Sequence, residues 1–293
     1  MHFTGRTWRP FYEKDSIIIQ ATSGCTYGKC RFCNLYREEC FRMSPLEEFE
    51  ADLAEIKSYV PNTRRIFWTG ANPFAMSYDN LKLRALTVRD YLIKCQSIAM
   101  FTSIQDIKNK EVWQLKKLRA MGINGLSIGT ESGDNDTLWL ANKGYTAADI
   151  VEQCQKLDEA GIEYYFVYMT GLAGKGNGCR NAVKSAELFS QVNPYFISVD
   201  SLTLFPDTQL YEMAQYGKFI AAGETERLEE LQVFIQNLRL RTHLFANSIS
   251  NFHPLTAYLP KEREKAVSEL QHIIDTVNEE EMIHYRNNLK SLG

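Results

Sequence analysis

Three thiols fall within nine residues in the stretch Ser23-Gly24-Cys25-Thr26-Tyr27-Gly28-Lys29-Cys30-Arg31-Phe32-Cys33, at the spacing Cys-x4-Cys-x2-Cys. Thiolates are soft ligands that suit zinc or iron–sulfur clusters. Gly24 and Gly28 free the backbone to fold over a bulky inorganic core. Scattered buried thiols would not cluster in this way. A structural zinc site needs four closed ligands. No histidine lies between His2 and His243, so zinc would have to recruit Cys40 or a distant residue. A cubane held by three cysteines leaves one iron open, and that iron can bind a small molecule.

The loop needs a scaffold, and the composition allows one. A chain of 293 residues, 44% hydrophobic and 24% charged, can bury the core of one large domain or of a domain with an appendage. A net charge of −3 and a pI near 6.0 make nucleic acid the weaker candidate partner. Seven cysteines, three of them tightly clustered, do not make a disulfide framework. Met1 to Lys14 has no apolar signal core, and no apolar run approaches the roughly 20 residues of a membrane span. The expected setting is the reducing cytoplasm, with no membrane association.

The residues that follow read as alternating strands and helices. Ser16 to Thr22 is a strand leading into the cysteine loop. Ser44-Pro45-Leu46-Glu47 has the form of a capping box with proline at the first helical position. Arg65–Thr69, Ile98–Ser103, Leu126–Gly129, Tyr164–Thr170 and Phe196–Leu204 are further strands, separated by helical periodicity. Six strands in unbroken alternation, with no reversal signal, predict an α/β fold: a partial, six-unit TIM-like β/α barrel over residues 1–205. Residues 206–293 are expected as a mostly helical C-terminal extension packed on the barrel, with helices over 208–222, 224–240, 260–278 and 279–292. An irregular polar stretch, His243 to Tyr258, lies between them as a connector or a cover for the barrel mouth.

In such barrels the reactive groups sit at the carboxyl ends of the strands. Those positions hold the cysteine loop, Thr69-Gly70-Ala71-Asn72, Ser103 with Gln105, Glu131-Ser132-Gly133, and Gly171-Leu172-Ala173-Gly174. Of the other cysteines, Cys95 and Cys154 read as small core residues and Cys40 as structural. Cys179 is an incidental loop thiol or a group that touches substrate.

With these residues placed, the chain resembles the radical S-adenosylmethionine (SAM) superfamily. The similar branch is the one around anaerobic coproporphyrinogen oxidase, the methylthiotransferases and the Elongator catalytic subunit. The resemblance covers roughly residues 16–217. Besides the cysteines it rests on Gly129-Thr130-Glu131-Ser132-Gly133 with Asn142-Lys143-Gly144-Tyr145-Thr146, on Met169-Thr170-Gly171-Leu172-Ala173-Gly174, and on Phe205-Pro206-Asp207-Thr208-Gln209-Leu210-Tyr211. The first cysteine gap has four residues where the superfamily usually has three. Gly70-Ala71-Asn72 stands where Gly-Gly-Glu is usual.

The resemblance implies that Cys25, Cys30 and Cys33 hold a 4Fe–4S cluster whose open iron chelates the amino and carboxylate groups of SAM. Reductive cleavage of the sulfonium would then yield a 5′-deoxyadenosyl radical that takes a hydrogen atom from a small organic substrate. Phe32 would pack near the adenine, or in the core. Gly70 and Asn72 would meet the SAM amino group. Ser103 and Gln105 would meet the ribose or carboxylate, or cap the next helix. Glu131 would pair with the amino group or the ribose hydroxyls, and Gly171 and Leu172 would let the backbone approach the adenine. A reductase such as flavodoxin or ferredoxin would supply the electron. The competing readings are a radical SAM tRNA-modifying enzyme and a non-enzymatic zinc or iron–sulfur binding module.

Overall fold

The structure, a computed structural model, describes residues 1–289. Two compact units make it up. One comprises residues 1–28, 35–129 and 153–164, and the other residues 29–34, 130–152 and those from 165 onward. The boundary passes through the cysteine loop, between Gly28 and Lys29.

The first unit begins with strands Ile17–Gln20 (β1) and Thr22–Ser23 (β2), the latter paired antiparallel with Arg42–Met43 (β3). Helix Leu46–Tyr59 (α1) leads to Arg65–Thr69 (β4), and Tyr78–Tyr91 (α2) leads to Ser97–Thr102 (β5). Ile104–Lys108 (α3) and Val112–Ala120 (α4) precede Ile123–Glu131 (β6). β1, β4, β5 and β6 form a parallel ladder in sequence order. Ile66 through Thr69 of β4 are all buried, as a strand covered on both faces must be. Trp68 meets Phe49 of α1 edge-on at 5.6 Å, and burying each of these rings contributes about 2–3 kcal/mol.

The capping box expected at α1 does not form. Ser44 Oγ donates instead to Gln20 O at 2.9 Å, its N–H donates to Ala21 O at 3.0 Å, and Pro45 occupies the N-cap without a side-chain cap. The end of β1 competes for the serine and wins, because its carbonyls would otherwise be buried unpaired.

The second unit carries Asn135–Leu140 (α5), the first part of Ala147–Ala160 (α6), Tyr164–Thr170 (β7) from Tyr165, Gly178–Phe189 (α7) and Phe196–Ser201 (β8). Gln209–Gln215 (α8) is shorter than the helix expected to reach Ala222, because Gly217, at φ +67°, ends it in the left-handed conformation. Glu224–Asn237 (α9) follows, and Tyr168 stacks on its Phe234 with centroids 4.2 Å apart.

The stretch read as irregular is a hairpin. Thr242–Ala246 (β9) pairs parallel with β8, and Leu255–Leu259 (β10) pairs antiparallel with β9. Thr242, Leu244 and Ala246 are buried while His243 and Phe245 are not, so the two-residue period was present but brief and interrupted by polar residues. Arg263–Thr276 (α10) and Glu279–Asn287 (α11) complete the described chain; residues 290–292 of the last expected helix lie outside the described residues. Arg286 pins α11 in place, forking onto Glu224 and donating to Ser250 O at 2.9 Å.

The sheet order is β1-β4-β5-β6-β7-β8-β9-β10, parallel except for the last ladder seen, so the fold is α/β as expected. The six strands β1, β4, β5, β6, β7 and β8 follow one another in sequence, without the order reversal of a doubly wound sheet. Among the described residues no helix is long and apolar enough to cross a membrane.

Candidate active site

Each half of the cysteine loop is held by its own unit. In the first, the chain leaves β2 through Gly24 at φ +68°, where a Cβ would lie 2.5 Å from the backbone carbonyl of Cys40. A Cβ would not fit that turn, and the backbone of Cys40 walls the loop while its side chain is exposed. Cys25 is half-buried, and its Sγ accepts the Gly28 N–H at 3.4 Å.

Asn72, after β4, braces this half. Its Oδ1 accepts the Thr26 N–H at 3.2 Å, and its Nδ2 donates to Thr26 Oγ1 at 2.5 Å and to Asp106 Oδ2 at 3.0 Å. Asp106 in turn accepts the Ser103 N–H at 2.8 Å, while Ser103 Oγ accepts from the Asp106 N–H at 3.3 Å, closing a capping box on α3. The Ser103 hydroxyl therefore takes the capping role, and Gln105 sits half-buried in the first turn of the same helix. Burial pushes the Asp106 carboxyl up, opposed by its bonds to Ser103 and Asn72. Lys110 donates to Phe74 O at 2.7 Å, and burial lowers its pKa to about 8. Gly70, at φ +130°, lets β4 end against Thr22, whose Oγ1 a Cβ would approach to 2.2 Å.

In the second unit, residues 29–34 are strapped down by the turn after α5. Asn142 Nδ2 donates to Lys29 O at 2.8 Å, the Arg31 N–H to Ala141 O at 3.0 Å, and Arg31 Nη1 to Leu140 O at 3.0 Å. The same turn delivers Lys143, whose ammonium lies 5.5 Å from the Phe32 ring centroid and 3.3 Å from Glu131 Oε1. Burial would depress that lysine, but Tyr145, Cys30 and Glu131 around it hold its pKa well above the ordinary value.

Glu131 ends β6 in the left-handed region, at φ +63°, a conformation that costs a non-glycine residue roughly 1–2 kcal/mol. It is 7% exposed, and its Oε2 has no hydrogen-bond partner among the described residues. Burial raises its carboxyl pKa, with Lys143 opposing and Asp200 reinforcing. A strained backbone that aims an unpaired buried oxygen is the mark of a ligand-binding position.

After β7, Gly171 takes φ +78° and donates its N–H to Glu230 Oε2 at 2.7 Å; a Cβ there would stand 3.1 Å from Arg227 Nε. The Leu172 side chain is core, packed with Ala141, Leu202, Leu210 and Phe219, and Phe32 packs against the same cluster. Cys154 is buried and Cys95 half-buried, while Cys179 is exposed in the first turn of α7.

Sequence reasoning missed Asp106, Lys143, Asp200 and Glu230 as site members. Asp106 could have been found as the third residue after a capping serine, and Lys143 lay inside a quoted motif. Glu230 had no local signal, since it comes from a helix beyond the six strands.

The donor set fits an iron–sulfur cubane: three half-buried thiols in nine residues, one already taking an N–H bond at sulfur. Among the described residues no three His, Cys, Asp or Glu side chains converge as one ion requires. A cubane is wider than an ion, so its ligands need no such convergence.

The profile of the Radical SAM superfamily matches residues 19–182. The heme chaperone HemW of Bacillus subtilis is 21% identical over 230 residues, covering 76% of this chain and 60% of that protein. A tRNA uridine(34) acetyltransferase of Methanocaldococcus infernus is 26% identical over 143 residues, 46% of this chain and 25% of that protein. The chain thus spans less than two thirds of the length of each of these relatives. Among solved structures, coproporphyrinogen III oxidase (HemN) from Escherichia coli has a TM-score of 0.55 at 17% identity, covering 75% of this chain and 51% of that one. The radical SAM methyltransferase TsrM from Kitasatospora setae has a TM-score of 0.57 at 17% identity, covering 69% and 37%. These structural likenesses show the fold. The chain belongs to the radical SAM superfamily, enzymes whose cofactors are a 4Fe–4S cluster and S-adenosylmethionine.

Proposed function

We propose that Cys25, Cys30 and Cys33 ligate the cluster and that the chain acts on a small organic substrate by hydrogen-atom abstraction. When bound, the cluster and SAM together supply a 5′-deoxyadenosyl radical. The chain's own residues bind, orient and exclude water. Glu131 offers its free oxygen to a hydroxyl or ammonium of SAM, and Lys143 fixes the other oxygen. Phe32 and the apolar cluster around Leu172 supply a dry wall for the adenine. Gly70 and Gly171 are kept as positions where backbone approaches the ligand, and Gln105, at the head of α3, as a group for its polar end. Asn72 and Ser103 act through others, as positioning residues for the Cys25 half of the loop. For function we keep the division into a catalytic barrel, 1–205, and an extension, 206–293. A flavodoxin or ferredoxin is the fitting electron donor, and the reduced thiols suit the cytoplasm.

The observation that carries this reading is the strained, buried Glu131 with its unpaired oxygen. The test is anaerobic reconstitution with iron and sulfide, then dithionite and SAM, following 5′-deoxyadenosine. Cys30→Ala is expected to reduce cleavage to background and Cys154→Ala to leave it within about two-fold. Equal losses from both, or purified protein carrying zinc on four endogenous ligands and no iron, would overturn the assignment.

A further inference from the structure

The rim at the amino-terminal end of β8 carries a surface that the SAM chemistry does not use. Asn193, Pro194 and Tyr195 lead into β8, and the same end holds the start of β9 and the finish of β10, since Phe196 pairs with His243 and Leu259 with Thr242. Two cavities, of about 670 and 430 Å³, adjoin there and share Leu240, Arg241 and Tyr258. The larger is lined by Arg239, Arg241, Lys261 and Arg263 and by no acid. In a chain of net charge −3 this is a local concentration of cations.

The cations are interleaved with rings. His243 and Phe245 share the outward face of β9, and Arg239 and Arg241 are exposed on its approach, while Thr242 and Leu244 turn inward. Tyr258 pairs across the ladder with His243, ring centroids 4.7 Å apart, and His243 lies nearly parallel to Phe245, at 8°. Tyr195 is 61% exposed beside them. Two guanidinium groups are already anchored: Arg241 Nε donates to Tyr258 OH at 2.8 Å, and Arg263 Nε to Ile235 O at 3.1 Å. Anchored guanidinium groups lose little further freedom on meeting an anion.

We propose that this rim binds a single-stranded nucleic acid, with the arginines and Lys261 on its phosphates and Tyr195, His243 and Tyr258 stacking its bases. Charge alone would suit an acidic protein equally. The alternation of cations with rings, Tyr195 and His243 exposed and Tyr258 half-buried, is what a chain of phosphates and bases requires. β8 is six residues long, so the rim stands about 20 Å from the strand's carboxyl end. The contacts proposed here are therefore separate from the strand ends where the reactive groups are placed. The proposal is independent of the substrate assigned above.

The test is fluorescence anisotropy of a fluorescein-labelled U12 RNA with the intact, anaerobically purified holoprotein, between 50 and 300 mM KCl. Binding is expected to weaken steeply with salt. The exposed pair Arg239→Glu/Lys261→Glu is expected to lose at least ten-fold at 100 mM and to flatten the log–log salt slope by about 1.4, two phosphate contacts at about 0.7 each. Tyr195→Ala is expected to lose several-fold with an unchanged slope, since stacking is not ionic. Lys57→Glu, on an exposed face of α1, is expected to change neither. Absence of RNA binding at 50 mM KCl, equal losses from Lys57→Glu, or displacement of the RNA by poly-glutamate at equal charge would overturn the proposal.

Discussion

Asn72 and Glu131 are both buried polar side chains at the carboxyl end of a strand, one in each compact unit, and they are treated differently. Asn72 spends its oxygen on Thr26 and its nitrogen on Thr26 and Asp106. Glu131 shares one oxygen with Lys143, leaves the other unpaired, and holds a strained backbone besides. A polar group whose capacity is filled serves the fold. One kept buried and unfilled costs stability and persists for something else. At these two positions the first unit braces the Cys25 half of the cysteine loop and the second keeps a group for a ligand.

Substitutions can break or sharpen that contrast. Leu172→Ala should cost about 2–5 kcal/mol in urea denaturation, because its side chain fills the second unit's core. A loss confined to SAM binding, with stability intact, would instead put Leu172 on the ligand.

Glu230 gives the next largest effect. Burial raises its carboxyl from 4.5 to about 7, against the Gly171 N–H, Tyr168 and Asn181. Between those values the folded state binds a proton that the unfolded chain has released. Its contribution is therefore complete below about pH 4.5 and is lost as pH rises through 7, by on the order of 3 kcal/mol. Denaturation from pH 4.5 to 8 should show that decline, and Glu230→Gln should flatten it. An unchanged slope would remove Glu230 as its source.

Asn72→Ala should cost about 1–3 kcal/mol, since it strips the buried Asp106 of a partner and leaves a cavity at a fully hydrogen-bonded position. Glu131→Gln should also cost about 1–3 kcal/mol in the same assay, because it removes the charge partner of the buried Lys143 while leaving an amide oxygen for it to bond. It should weaken SAM about ten-fold, or about 1.4 kcal/mol, in equilibrium dialysis with the reconstituted protein. Reversed results, with SAM affinity lost in Asn72→Ala and kept in Glu131→Gln, would invert the roles of the two units.

Much of this was legible beforehand where the signal was local. The long apolar runs of β4 and β7 placed those strands within a few residues. β9 and β10 escaped because five-residue strands flanked by Asn, Ser and His look like a polar connector. The capping box at Ser44 failed for a different reason: its pattern was right, but the end of β1 claimed the hydroxyl. Of the candidate site, the cysteines and Glu131 were readable as residue types at expected places, while the partners of Asn72 and Gly171 were not.

By itself the sequence determined the order of β/α units and the presence of a soft thiol set, because periodicity and ligand chemistry are properties of neighbours along the chain. Only the tertiary structure decided that Asn72 is spent on Thr26 and Asp106, that Glu131 keeps an oxygen free, and that Glu230 reaches back to Gly171. Those outcomes depend on which groups lose water together, and burial brings together residues that the sequence holds 34 to 59 positions apart.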